Sequence, residues 1–401
     1  MTRAVFILGL AAVLAVPAPI MAQRVPEEAV VWPLPPEPAR IQFAGTLQSD
    51  QDLGAEESFF GRLRSSITGD QANLTAVNRP HDVHVFNGRM YVTNGMTSGL
   101  IVFDLDKKDA DFIQPTGPGQ LGKPMGLTGD AEGNVYVADP RMRRVVVLTP
   151  DGEFVEAFGG EHILMNPVDV ALSPSGDRLY VVDSYLHQVV MFDRSGAVVG
   201  RIGINAGDIE AKREALGDAR NRGDHELLAA DQEEQDPTMH PTVTEPSDLT
   251  ENRGAGPGEF RYPAFIATAP DGTVWVSDQM NFRVQGFDRD GAYLREFGGL
   301  GDGPGRFARP KGIGVDSEGH VYVVDAAFNN VQIFDADGSL LLVFGELGSG
   351  PGQLWMPTGM AIDTDDQVVI ADRYNNRLQI YKYLGDGGEG SAGPEDPGTR
   401  Q

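Results

Sequence analysis

The sequence predicts an all-β chain: a six-bladed β-propeller of four-stranded antiparallel blades, with an N-terminal strand closing the last blade. Three observations carry this. First, a proline opens each recurring unit, at Pro80, Pro124, Pro167, Pro263, Pro310 and Pro357, with spacings of 44, 43, 96, 47 and 47 residues. Second, an independent marker ends each unit's second apolar run, at Asn94, Asp139, Asp183, Asp278, Asp325 and Asp372. Its spacings agree with those of the prolines to within one residue. A period near 45 with four strands per unit is the pattern of a propeller. Third, the last unit supplies only three strand-like runs, TGMAID, QVVIAD and RLQIYKY. Residues 40–47, RIQFAGTL, resemble the missing fourth run as other units write it, LREFGGL or LLVFGEL. An open ring would leave two unpaired sheet edges, so residues 40–47 are expected to fasten it.

The unit at 309–354 shows most clearly why each element forms. Its four apolar runs are GIGVD, HVYVVD, NVQIFD and LLLVFG. Asp316-Ser317-Glu318-Gly319 joins the first pair and Asp335-Ala336-Asp337-Gly338 the last. Both are tight-hairpin sequences, because glycine takes the positive φ that closes such a turn. The chain holds 50 glycines and 27 prolines in 401 residues, and they recur at fixed offsets, which marks turns rather than disorder.

The segments outside the repeat have their own signatures. Residues 1–22 read as a signal peptide: Arg3 is followed by an apolar run of 12 residues and a small residue at the cut. The run is shorter than the ~20 residues a membrane-spanning helix needs. An exported protein, periplasmic or extracellular, without a membrane span after cleavage, is therefore expected. Residues 23–78 form an N-terminal extended segment, with a proline-rich stretch at 30–40, the closing strand at 40–47 and one short amphipathic helix at 56–67. The propeller occupies 79–384, and 385–401 has the composition of a disordered tail. The long third interval holds an insertion at 205–253 with 13 acids and five bases, placed on the face where the blade-to-blade connections lie.

Composition removes several function classes. The formal charge is −26, from 58 acids against 32 Lys and Arg, and such a surface repels nucleic acid and anionic lipid. There is no cysteine, which excludes disulfides, thiolate metal sites and a cysteine nucleophile. No G-x-S-x-G elbow occurs either.

At the level of motif, P-x-G-[IV]-x-[VI]-D-x-x-G-x-[VL]-[YW]-V-x-D-x-x-N-x-[RV]-[VI]-Q-x-F, with GPGxF or GPGxL before the next proline, resembles the NHL repeat. The resemblance is clearest at 311–334, 358–381 and 264–287, recognisable at 125–148 and 168–192, and weakest at 81–103. It implies the six-bladed fold over most of 79–383 outside the insertion, and it leaves function open, because this fold hosts enzymes, RNA binders, ligand sensors and scaffolds. The RNA binding of NHL propellers in tripartite-motif proteins needs a basic face, which this acidic chain opposes.

The enzyme that this resemblance suggests most readily is the peptidyl-hydroxyglycine amidating lyase, whose propeller holds zinc through histidines inside the ring. His81, directly after Pro80, matches one such histidine; the equivalent positions elsewhere are Met125, Val168, Ala264, Lys311 and Thr358. One imidazole does not make a zinc site, which takes at least three protein ligands. A calcium-dependent lactonase would need central carboxylates, for which Asp82 and Asp169 are the candidates. No resident cofactor is expected, with calcium or zinc as the alternative. The second-strand acids Asp139, Asp183, Asp278, Asp325 and Asp372 recur too regularly for a site and are expected to cap loop N–H groups.

The departures from the repeat point to a non-catalytic binding or scaffold module acting on a protein or small molecule at the face carrying the insertion. The candidate contacts are His81, Asp82, Arg141, Asp169, Tyr185, His187, Phe282, Phe328 and Tyr374, since aromatic and arginine side chains around an opening suit ligand anchoring. Catalysis is left open, leaning against, with a metal-dependent lyase or hydrolase around His81, Asp82, Asp169 and His187 as the alternative. The chain is expected to be a monomer.

Overall fold

The computed structural model describes residues 29–53, 74–95, 97–203 and 254–385. The predicted signal peptide, the helix at 56–67, the insertion at 205–253 and the tail beyond 385 lie outside the described residues.

Six antiparallel sheets form the propeller, and the first five are each a meander of consecutive strands. Blades 1 to 5 span 80–113, 127–159, 167–203, 263–298 and 310–344. Blade 6 takes Met360–Ile362, Gln367–Asp372 and Arg377–Tyr383 from the C-terminal side, and Ile41–Leu47 adds to its outer edge. The expected closure is therefore present. Ile41 pairs with Tyr383, Phe43 with Tyr381 and Leu47 with Leu378, around a bulge between Phe43 and Gly45. Val31–Trp32 adds a short fifth strand that the sequence did not announce. Its Trp32 ring sits 5.8 Å from Phe344 of blade 5 and 5.9 Å from Tyr381 of blade 6, across their seam.

Second strands such as Val321–Asp325 are buried at every position, because each sheet is packed between two neighbours and so has two apolar faces to cover. The core is accordingly divided into six clusters, one in each gap between adjacent blades. In the gap between blades 6 and 1, Leu47 of the closing strand packs with Val83, Val92, Val369 and Leu378. At roughly 25 cal/mol per Å² of apolar surface removed from water, the ring gains this burial at the sixth gap only when it is closed.

The recurrent acids behave as expected: they tie each blade's second strand to the segment entering the blade. Asp139 accepts from the N–H groups of Gly122, Lys123 and Met142. Asp183 serves Met165, Asn166 and Leu186, and Asp325 serves Ala308, Arg309, Ala327 and Phe328. In blades 4 and 6 an arginine extends the network. Arg377 Nε donates to Asp372 at 2.7 Å, and its other nitrogens donate to the carbonyls of Ser349, Gly350 and Gln353. Arg283 does the same with Asp278 and the carbonyls of Ala255, Gly256 and Glu259. Gln285, Gln332 and Gln379 each accept from a glycine N–H of the GPG turn. The recurring Gln and the GPG turn are thus two halves of one clamp, with the arginine reinforcing it in blades 4 and 6.

Candidate functional site

The innermost strands of neighbouring blades touch all the way round and wall a central channel. Each begins at its proline in blades 1, 3, 4 and 5 and three residues after it in blades 2 and 6, so the residues next to the six prolines form the rim on the face that also bears the second-to-third-strand loops. Just inside the rim the strands are bonded across the gaps. Gly126 N–H donates to Val168 O, Gly312 N–H to Thr358 O and Gly359 N–H to His81 O, at 2.8–2.9 Å.

Two positions after the proline lie Asp82 and Asp169, both buried. Asp82 Oδ2 accepts from Leu127 N–H of blade 2 at 3.0 Å, and Asp169 Oδ2 accepts from Ile266 N–H of blade 4 at 2.8 Å. Their Oδ1 atoms fill the space beside the preceding blade. A Cβ on Gly359 would lie 2.0 Å from Asp82 Oδ1, and one on Gly126 would lie 1.9 Å from Asp169 Oδ1. Glycine is required at both positions, and each acid spans both neighbours of its own blade. Burial pushes the Asp82 carboxyl up to about 7. Burial, and then repulsion from Asp82, holds Asp169 well above the usual carboxylate range. The two acids act on each other, and each is also engaged as a staple between blades.

His81 is 7% exposed, and its ring stacks on Phe265, with centroids 5.5 Å apart. These residues belong to blades 1 and 4, which face each other in a ring of six, so the two rings meet across the axis. Burial, followed by the charges of Arg373, Lys311 and Lys123, pushes the imidazole well below its ordinary pKa. His81 is therefore neutral at physiological pH, within the field of three cations.

The rim repeats this bias. The two residues before and the one after each proline include Arg79, Lys123, Arg261, Arg309, Lys311 and His81, and no acid. Acids outnumber bases 58 to 32 in the whole chain, so the basic rim stands out against its own composition. On the blade 6 to blade 1 side, Tyr374 stacks on Trp355 at 5.8 Å, and Arg79 lies 5.6 Å from the Tyr374 ring. Trp355 is 42% exposed, which makes this stack an open aromatic shelf.

Of the residues singled out from sequence, His81, Asp82 and Asp169 come together in the channel, and Tyr374 stands on the rim. Arg141 is exposed on the blade 2 loop, and Tyr185 and Phe328 are half-buried on theirs. Phe282 packs against the apolar cluster between blades 4 and 5. His187 has a different task. Its Nδ1 accepts from Tyr262 N–H at 2.8 Å, and its ring lies edge-on to Tyr262 at 4.5 Å. Asn329 does the same for Met356 N–H, and Asn376 for Arg79 N–H. All three acceptors stand four residues after the recurrent acid with positive φ. His187 fastens blade 3 to blade 4.

A histidine-held zinc does not fit the donor set around His81. A divalent cation there would face Arg373, Lys311 and Lys123. Among the described residues no group of three or more His, Asp or Glu side chains is arranged to hold a metal ion.

Comparison with known proteins places these features. Residues 354–381 match the family model of the NHL repeat. Over 109 residues the chain is 28% identical to the peptidylglycine alpha-amidating monooxygenase of Rattus norvegicus, an alignment covering 25% of this chain and 11% of the rat protein. The chain thus spans about a tenth of the length of the curated relatives it matches. Among solved structures, an auxiliary nutrient binding protein from Bacteroides thetaiotaomicron aligns with TM-score 0.52 at 12% identity, covering 76% of this chain and 69% of that one. A streptogramin B lyase aligns with TM-score 0.51 at 13% identity, covering 76% and 94%. At such identities the likeness is one of fold. Five four-stranded sheets and one of five strands ring one channel, closed by an N-terminal strand beside the matched repeat: the chain is a six-bladed β-propeller that carries an NHL repeat at residues 354–381.

Proposed function

We propose that this protein is an exported, non-catalytic binding propeller that takes its ligand or partner at the channel mouth and works without a resident metal. The observation that carries the reading is the rim: basic and aromatic side chains gathered around the opening of a strongly acidic chain. A rigid scaffold that presents a few polar anchors beside an apolar surface is suited to recognition. The rings of His81 and Phe265 meet across the axis beneath this mouth.

One observation favours a second reading, an acid–base enzyme in the channel. Asp82 carries a carboxyl pushed up to about 7 beside a second buried acid, and strongly perturbed groups cluster at functional sites. The binding reading is preferred because both carboxylates are engaged by backbone N–H groups of the next blade. Metal analysis of the purified protein separates the binding reading from a metal-assisted lyase or hydrolase. Substoichiometric zinc and calcium are expected in wild type and in His81→Ala alike; one equivalent in wild type, lost in His81→Ala, overturns the proposal.

A further inference from the structure

We propose that the channel mouth recognises a small carboxylate bearing an aromatic or apolar group, its carboxylate received by Lys123, Lys311 and Arg373 above His81 and its apolar part by the Trp355–Tyr374 shelf. This rests on the mouth being the binding site, and names the chemistry of what binds there.

Two features of the mouth point to the same class of ligand. Lys123 and Lys311 stand beside the prolines that open blades 2 and 5, in the same ring of positions as His81, and Arg373 follows Asp372 of blade 6 with its guanidinium 3.7 Å from where a Cβ on Gly95 of blade 1 would lie. An anion entering there meets attraction from several sides, and a cleft with low-dielectric walls focuses that field. The neutral imidazole beneath it supplies one N–H donor to an anion. Arginine adds shape to charge, since its planar fork matches a carboxylate bidentately. The second feature is the shelf. Trp355 and Tyr374 stack within the segment that supplies Arg373, and Arg79, two residues before His81, lies against Tyr374. A molecule that places its carboxylate over His81 can therefore lay a flat apolar group on these rings, where stacking adds to affinity. Neither feature alone selects the class; together they select a charged head with an apolar body.

The test is isothermal titration of the full chain with benzoate, with benzamide, which matches its shape without the charge, and with inorganic phosphate. The variants are Lys123→Gln, Lys311→Gln and Trp355→Ala. Benzoate is expected to bind about tenfold or more tighter than benzamide, which corresponds to about 1.4 kcal/mol or more. Each lysine variant is expected to weaken benzoate several-fold, and added salt to weaken it further. Because Lys123 and Lys311 stand on different blades, a folding defect in one variant leaves the other as the test. Benzamide binding as tightly as benzoate, and weakened by Trp355→Ala, overturns the carboxylate inference while keeping the mouth as the binding site. Phosphate binding without benzoate binding overturns the carboxylate assignment in favour of a phosphoryl group. Benzoate binding that all three variants leave unchanged overturns both the inference and the mouth as the site.

Discussion

Replacing Asp82 by Asn tests the interior of the ring most sharply, because the outcome depends on pH in a direction opposite to that of an ordinary surface acid. The Asp82 carboxyl is raised from 3.8 to about 7 by burial. Between those values the folded protein holds a proton that the unfolded chain releases. Stability attributable to this group is therefore greatest near pH 4, falls as pH rises toward 7, and levels off above it. A difference of about three units corresponds to about 4 kcal/mol at full extent. The asparagine amide keeps an oxygen for Leu127 N–H and never ionises, so it serves as a reference of nearly equal shape. Urea denaturation of both proteins at pH 4.5, 6 and 8 should show wild type losing ground to Asp82→Asn by a few kcal/mol across the range. In the variant Asp169 loses its repelling neighbour, which adds to that gap at high pH. A gap independent of pH, or one that moves in favour of wild type as pH rises, would refute an acid whose carboxyl is raised by burial.

Other consequences follow from the fold. Phe43→Ala removes a buried ring that meets Tyr381 edge-on at 5.9 Å and should cost about 3–5 kcal/mol, read as a lower urea midpoint. A variant as stable as wild type would mean that the N-terminal strand does not fasten the ring. Gln188 is fully buried, yet among the described residues neither atom of its amide has a hydrogen-bond partner. Orphaned polar groups cost about 1–3 kcal/mol, so Gln188→Met should be neutral or raise the melting temperature, and a marked loss would reveal a hidden partner. Arg377→Met leaves the carbonyl of Ser349 without its side-chain donor, takes one of two donors from the carbonyls of Gly350 and Gln353, and leaves Asp372 without its cation. It should destabilise by about 3–5 kcal/mol, with proteolysis at the adjacent GPG turn as a local readout.

The fold was legible because two sets of markers recur with one period, and because ring closure demands a fourth strand for the last blade. Residues 40–47 were identifiable as that strand by likeness to the others. The fifth strand at Val31–Trp32 was not, since two residues carry no period, and the contact that fixes them is between Trp32 and rings of blades 5 and 6. The roles of Asp82 and Asp169 were hidden for a related reason: their partners are backbone N–H groups of another blade, which no side-chain pattern records. His187 offered a signal that aligning the blades makes visible. It shares its column with Asn329 and Asn376, and asparagine at a left-handed loop position is a common bonding residue. The basic rim was equally present in the sequence, scattered one or two residues at a time over 230 positions of acidic chain. Only the ring brings Arg79 and Lys311 to one opening.

The central claim is that the mouth of the channel is the binding face, and its three tryptophans allow this protein to report the face directly. Trp355 stands on the rim. Trp275 lines a groove of about 260 Å³ at the turns of blades 4 and 5 on the opposite face, and Trp32 lies in the seam between blades 5 and 6. Indole N–H resonances recorded during a benzoate titration should show a saturable shift at Trp355, with Trp275 and Trp32 unchanged. A saturable shift at Trp275 with Trp355 unmoved would contradict the account and transfer binding to the other face.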